Sequence, residues 1–330
     1  MGKAAADAIQ FVNQIGGKTL NYFVYRDDTE DADQRRIRFD GMLGGLKWDD
    51  IVIIHYPILM FDKATQRQFI AQVHNRGARV VTHIDDVKQW QINGDYDQPF
   101  DEPFLTDSDG IIAQTPKMAA QLRQQLNLAD NQAMVVRGPG GYVTSLYDQK
   151  DRTLGTPIDY AGGLHKAPFL AELATQVPVN IYANVDDGAP VPEGINVKGT
   201  YDPDVIPHII DGSFGLVWDS ESYTDVTGKF AEYTRYNTPS KLSLYLSANE
   251  PVIVWSGAGV ANFVRENHVG LVIDSLTDLA PRLAALTPEE YHAILSNTHR
   301  IGNVIRSGYF LKQAVFKMQG ELLLAHAEFN

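Results

Sequence analysis

The 330-residue chain is predicted to fold as two doubly wound α/β domains. Three observations carry that expectation. Short β-branched runs alternate with helical patterns along most of the chain. Runs such as Ile51-Val-Ile-Ile54 are apolar at every position, which suits strands buried on both faces. The alternation lapses between about Gly138 and Asp159 and then resumes. Strands buried on both faces need covering helices, and parallel βαβ order supplies them. The length suits about two domains, and a hydrophobic share of 44% is ample for two cores.

Element by element, the pattern predicts a helix near Lys3 to Ile15, a strand at Leu20 to Tyr25, a helix near Asp33 to Leu43 and a strand at Asp50 to His55. A helix follows near Lys63 to Arg76, then strands at Ala78 to Ile84 and Gly110 to Gln114, then a helix at Pro116 to Leu126. A doubly wound domain normally opens on a strand, so the first domain's opening strand is either absent or upstream, or the fold tolerates its absence. After Gly138-Pro-Gly-Gly141 and Asp148-Gln-Lys-Asp-Arg152, read as a linker, the second series begins. It comprises strands at Ile158 to Ala161, Val179 to Ala183, Ile195 to Val197, Gly215 to Trp218 and Gly270 to Ile273, helices near Ala167 to Leu173 and Pro203 to Ile210, and three helices from Leu276 onward. The predicted domains are residues 1–145 and 156–310, with 311–330 as a helix returning to the first.

Composition narrows the function. A formal charge of -13 repels phosphate backbones and anionic lipid, so neither nucleic acid nor a membrane surface is the expected partner. No cysteine is present, which excludes thiolate and disulfide chemistry. No apolar run reaches the ~18 residues that span a bilayer, and the start lacks a signal-peptide core. A soluble, cytoplasmic protein is expected.

The most informative stretch runs from Arg235 to Trp255 and reads as loop, helix start, basic residue, apolar helix and buried strand. Pro239 suits the first helical position, and Asn237 or Thr238 can cap the amides beside it. Lys241 falls in the first turn, where the helix dipole disfavours a cation unless an anion is bound. A nucleotide diphosphate fits that anion; a solvated lysine on an ordinary helix is the competing reading. Gly162 and Gly163 allow close backbone approach to a phosphate, and Gly257-Ala-Gly259 repeats the strand, turn, helix order, or forms a plain tight turn. Tyr182 and Asn184 stand at the end of a strand, placed to read a base edge. In the first half, Thr82-His-Ile-Asp-Asp-Val87 sets His83, Asp85 and Asp86 at a strand end; a carboxylate or imidazole there qualifies as a general base, and a helix-capping aspartate is the alternative. His55 is a second candidate. The 14 residues from Tyr223 to Tyr236 read as a lid or a long surface loop. No Asp-x-Asp follows a strand as a metal site would require, so no metal is expected, and no Gly-x-Gly-x-x-Gly follows any strand, which disfavours a dehydrogenase.

Three segments together, Tyr160-Ala-Gly-Gly-Leu-His-Lys166, Gly212-Ser-Phe-Gly-Leu-Val-Trp-Asp219, and Asn237 to Trp255 followed by Glu266-Asn-His-Val-Gly-Leu271, resemble a GT-B glycosyltransferase. More narrowly they resemble the accessory-Sec glycosyltransferase-three family, which extends O-linked N-acetylglucosamine on serine-rich-repeat adhesins, and related galactofuranosyl and exopolysaccharide transferases. The resemblance is clearest over residues 156–275. It implies two Rossmann-like domains facing a cleft, UDP in the C-terminal domain and a tetramer. It places Lys166 opposite Lys241 so that two cations bracket one pyrophosphate in place of a metal, Tyr201 against the nucleotide, and Asp86 at a family aspartate. The implied reaction moves glucose or N-acetylglucosamine from a UDP-sugar, the donor substrate, to a glycosylated Ser/Thr-rich protein, with no cofactor. A galactofuranosyltransferase, or an inactive GT-B-like partner subunit, remains as an alternative.

Overall fold

The computed structural model describes residues 2–22, 30–129, 132–144, 150–185 and 191–324. Two compact units are present. Unit 1 comprises Met1–Arg137 with Leu311–Asn330, and unit 2 comprises Gly138–Phe310.

Unit 1 contains β1 (Ile51–Tyr56), β2 (Arg79–Ile84), β3 (Gly110–Ala113) and β4 (Ala133–Val136), all parallel and in the order β1-β2-β3-β4. The central strands are apolar for the predicted reason. All four residues of β3 and five of six in β2 are buried, because helices cover both faces. Val81, Ile112 and Val135 pack with Ala314 and Met318 of the helix Tyr309–Leu323. Phe39, Phe61, Phe69 and Phe104 form a chain of ring contacts between 5.3 and 6.2 Å. The strand order does not reverse among the described residues. Of the strand expected at Leu20 to Tyr25, residues 20–22 are not in a strand and the remainder lies outside the described residues. The sequence reading missed β4 because four residues, three of them not fully buried, are too few to show a period.

Unit 2 contains β5 (Ile158–Ala161), β6 (Val179–Tyr182), β7 (Ile195–Val197), β8 (Gly215–Val217), β9 (Val252–Trp255) and β10 (Gly270–Ile273) in the order β10-β9-β8-β5-β6-β7, again all parallel. The order reverses between β5 and β8, which makes this the doubly wound half. The helix Ser240–Ser247 is seated at that reversal. The Tyr245 ring fills the space beside Gly215 of β8, where an added Cβ would stand 2.1 Å from the ring. The Tyr245 hydroxyl accepts from the Ala161 amide at 2.7 Å and donates to the Asp159 carbonyl at 3.1 Å, both on β5. One tyrosine thus sets the height of the helix over both strands.

A buried polar group is centred on Asp159 of β5 and Asn180 of β6. Asp159 accepts from the Gly212 amide and from Asn180, each at 2.8 Å, and burial raises its carboxyl pKa. Arg152 and Glu250, both fully enclosed, approach to 3.5 Å, and the Arg152 guanidinium donates to the carbonyls of Gly212, Ile210 and Ala248. No helix among the described residues is long and apolar enough to cross a membrane.

Candidate functional site

Open α/β sheets take ligands above the carboxyl ends of the strands at the point where strand order reverses. In unit 2 that point is the end of β5 and β8, and the chain delivers specific groups to it. Lys241 lies four residues before Tyr245, on the same helical face. Because Tyr245 is bonded to Ala161, Lys241 arrives beside the next residue, Gly162, whereas the space beside Gly163 is taken by the His165 ring, 2.6 Å from where a Cβ would stand. A Cβ on Gly162 would stand 3.4 Å from Lys241 Nζ and 3.3 Å from the Tyr160 hydroxyl. The Lys241 ammonium donates to Asp219 Oδ1 at 2.7 Å and lies 5.2 Å from the centroid of the Tyr160 ring. The ion pair is largely shielded, with the two side chains 11% and 12% exposed. Burial, then the Asp219 carboxylate, pushes the Tyr160 phenol well above its ordinary range.

Asp219 was not a candidate site residue from the sequence, yet it is the ion-pair partner of Lys241. Its signal was present: an aspartate immediately after a buried strand, at the carboxyl end where ligands bind. A pocket beside it is lined by Trp218, Asp219, Val226, Thr234, Pro239 and Trp255. Two buried polar atoms of this region lack hydrogen-bond partners, Trp218 Nε1 and Asn237 Oδ1. A buried donor and a buried acceptor left open in one region suit a polar ligand.

Pro239 is the N-cap, without a side-chain capping bond, and Ser240 is the first helical residue, one position later than expected. The first-turn amides are the helix's anion-attracting end. Lys166 ends a short 3₁₀ turn after the glycines, and its ammonium lies 4.4 Å from the centroid of the Phe230 ring. Each lysine therefore has its own partner in place of the expected joint bracket. Lys166 is nevertheless tied to the same loop, since its carbonyl accepts from the amide of Ser220, the neighbour of Asp219. The segment expected as a lid or open loop is folded. Ser220 Oγ donates to the Asp225 carbonyl and accepts from the Thr227 amide, and Lys229–Tyr233 is helical.

Gly257 has a different reason to be glycine. A Cβ there would stand 2.5 Å from the Trp255 indole, so glycine at this position makes room for that ring. Tyr182 is also corrected. It is buried, and its hydroxyl faces Asp211 at 3.3 Å and Asp159 at 3.5 Å inside the polar group around Asp159, so it is not presented to a base. Tyr201 is 36% exposed with its ring 6.3 Å from that of Tyr182, and Asn184 accepts from the Thr200 hydroxyl at 2.7 Å. These two residues form a rim at the ends of β6 and β7.

In unit 1 the register pairs His55 of β1 with His83 of β2. Their Nδ1 atoms lie 3.3 Å apart, and His55 Nε2 lies 3.5 Å from Asp85 Oδ2. His83 is buried, its Nε2 has no partner, and burial, then the charges of Arg137 and His55, hold it neutral. Asp86 instead faces Lys88 at 3.8 Å. Asp85, the neighbouring carboxylate, is the one that lies beside His55. Among the described residues no three His, Asp or Glu side chains converge on a point that could hold a metal ion.

Comparison with known proteins gives this geometry its setting. Residues 1–137 match the N-terminal domain model of the glucosyltransferase 3-like family, and residues 158–318 match its C-terminal domain model. The chain is 25% identical over 330 residues to glucosyltransferase 3 of Streptococcus gordonii, covering 97% of this chain and 94% of that protein. It is 27% identical over 301 residues to the β-1,6-galactofuranosyltransferase WbbI of Escherichia coli, covering 87% and 84%. A glycosyltransferase from Rickettsia africae superposes with a TM-score of 0.62 at 10% identity, covering 98% of this chain and 95% of that one. Anabaena HepE in complex with UDP superposes with a TM-score of 0.54 at 12% identity, covering 83% and 79%. With both domain models matched in order and parallel α/β sheets in both units, the chain belongs to the glucosyltransferase 3-like family and is a glycosyltransferase of the GT-B fold.

Proposed function

We propose that the chain transfers glucose or N-acetylglucosamine from a UDP-sugar, without a metal ion, to a sugar already O-linked on a Ser/Thr-rich adhesin, and that it works as a cytoplasmic homotetramer. The observation that carries the donor half of this reading is the placement of Lys241 Nζ against Gly162 at the strand-order reversal, in the first turn of the helix Ser240–Ser247. An arriving diphosphate takes Lys241 over from Asp219. Charge grows on UDP as its bond to the sugar breaks, and preorganised cations and amides stabilise that charge without reorganising. Lys166, swinging from Phe230, supplies the second cation; Tyr201 and Asn184 border the nucleoside.

A second reading, transfer of galactofuranose, is favoured by the 27% identity to WbbI and uses the same donor groups. A thermal-shift panel of UDP, UDP-glucose, UDP-N-acetylglucosamine, UDP-galactofuranose and NAD, each with EDTA or with magnesium, separates the possibilities. Ligand at a hundredfold excess over its Kd adds about 2.7 kcal/mol of stability. Stabilisation by UDP compounds in EDTA supports the proposal. A shift that needs magnesium removes metal independence, and a shift with NAD alone ends the reading.

A further inference from the structure

We propose that Trp218 and Asp219 recognise one hydroxyl of the transferred sugar, the Trp218 Nε1–H donating to its oxygen and Asp219 Oδ2 accepting the hydrogen bond it donates. This rests on the UDP-sugar reading and adds to it the groups that tell one sugar from another. The two residues follow β8 directly, and both line the cavity at the carboxyl ends of β8 and β9. Trp218 is 3% exposed, and its Nε1 has no hydrogen-bond partner. A buried N–H in that state costs free energy until an acceptor reaches it. Asp219 has the complementary need. Both hydrogen bonds to its carboxylate, from Lys241 at 2.7 Å and from the Tyr160 hydroxyl at 3.5 Å, end on Oδ1. Oδ2 has no partner among the described residues.

A hydroxyl accepts one hydrogen bond while donating another, which suits a donor and an acceptor on adjacent residues. A carboxylate or phosphate oxygen would meet Asp219 as a like charge. The rest of the lining offers little competition. Val217, Val226, Pro239 and Ala258 carry no polar side-chain atom, and the Thr234 hydroxyl donates to the Ala231 carbonyl at 2.6 Å. The cavity has room for about one water-sized group, the size of a hydroxyl and smaller than an acetamido group. Strand order says which hydroxyl. A UDP-sugar is nucleoside, diphosphate and sugar in line, and the sheet runs β10-β9-β8-β5-β6-β7. Tyr201 and Asn184 stand past the ends of β6 and β7, and Lys241 stands at the reversal between β5 and β8. The sugar therefore falls to the β8 and β9 side, where the cavity lies. Once the diphosphate takes the Lys241 ammonium, Asp219 loses a charge-assisted donor, and the sugar hydroxyl replaces it.

Calorimetry on the full chain tests this with UDP, the UDP-sugar that binds best in the thermal-shift panel, and the monodeoxy analogues of that sugar nucleotide. The analogue lacking the hydroxyl that enters the cavity should bind about tenfold or more weakly than the parent. Trp218→Phe and Asp219→Ala should each shrink that difference several-fold, and Trp218→Phe should leave the Kd for UDP within about twofold. A purely structural role would weaken parent and analogue alike. If Trp218→Phe does not fold, Asp219→Ala and the analogues decide. Equal binding of every analogue overturns the proposal and leaves the cavity to a water. A difference that survives both substitutions puts the hydroxyl elsewhere, and a Trp218→Phe loss equal for UDP and for the sugar nucleotide gives the indole to the ribose; either result overturns it as well. If the unaltered protein binds no uridine nucleotide, the donor reading has failed and this inference falls with it, whereas each result above is read on a protein that binds UDP.

Discussion

Lys241 is held by the Asp219 carboxylate, and the proposed displacement of that carboxylate by a diphosphate gives two substitutions opposite signs. Lys241→Ala removes a charge-assisted contact of about 1.5–3 kcal/mol, so UDP binding measured by calorimetry should weaken by roughly one to two orders of magnitude. Asp219→Asn removes the competitor, so UDP should bind several-fold more tightly. A loss of affinity in both variants would show the pair to be a structural tie and not a site that exchanges partners. The glycines of this region divide at the same scale. Gly162 leaves space in front of Lys241, whereas Gly257 leaves space for the Trp255 indole. Both follow a strand end in the sequence and read alike there; what separates them is the side chain that folds back over each.

At the scale of the element, the helix Ser240–Ser247 is positioned by Tyr245. Its hydroxyl ties the helix to β5 through the Ala161 amide and the Asp159 carbonyl, while its ring rests on Gly215 of β8. Tyr245→Phe leaves the buried Ala161 amide without its partner and should cost about 1–3 kcal/mol in urea unfolding. UDP affinity should fall with it, since Lys241 rides on the same face one turn earlier. Unfolding unchanged in the variant would remove Tyr245 from this role. The order of loop, helix and strand here was legible in the sequence, as was the lysine in the first turn. The cap was not: Pro239 proved to be the N-cap and not the first helical residue, because helix ends are set by local dihedrals that sequence reading places only to within a residue or two. Tyr182 shows the converse limit. Its place at a strand end was correctly read, but its hydroxyl turns back to Asp159 and Asp211, which lie on other elements.

At the scale of the whole molecule, the buried polar group around Asp159 of unit 2 couples folding to pH. Burial, then the charge of Asp159, raises the Glu250 pKa well above 4.5, and Arg152 offsets only part of that. The folded chain therefore keeps a proton that the unfolded chain releases above about pH 4.5. A raised folded-state value contributes stability that is complete below the unfolded pKa and is lost as pH rises through the folded one. The melting temperature should decline from weakly acid toward alkaline pH, and Glu250→Gln should flatten that decline. An equal slope in the variant would assign the pH dependence to other groups.

The sequence by itself determined the alternation of strands and helices, the burial of the strands on both faces, the break between the two halves and the presence of a lysine at a helix start, because each depends on neighbours within a few residues. Only the tertiary structure decided that Asp219 holds Lys241, that Lys166 rests on Phe230, and that Asp85 lies beside His55. Those pairings follow from which strands lie side by side, β8 next to β5 and β1 next to β2. Strand adjacency is settled by packing across the whole sheet, and no local pattern encodes it.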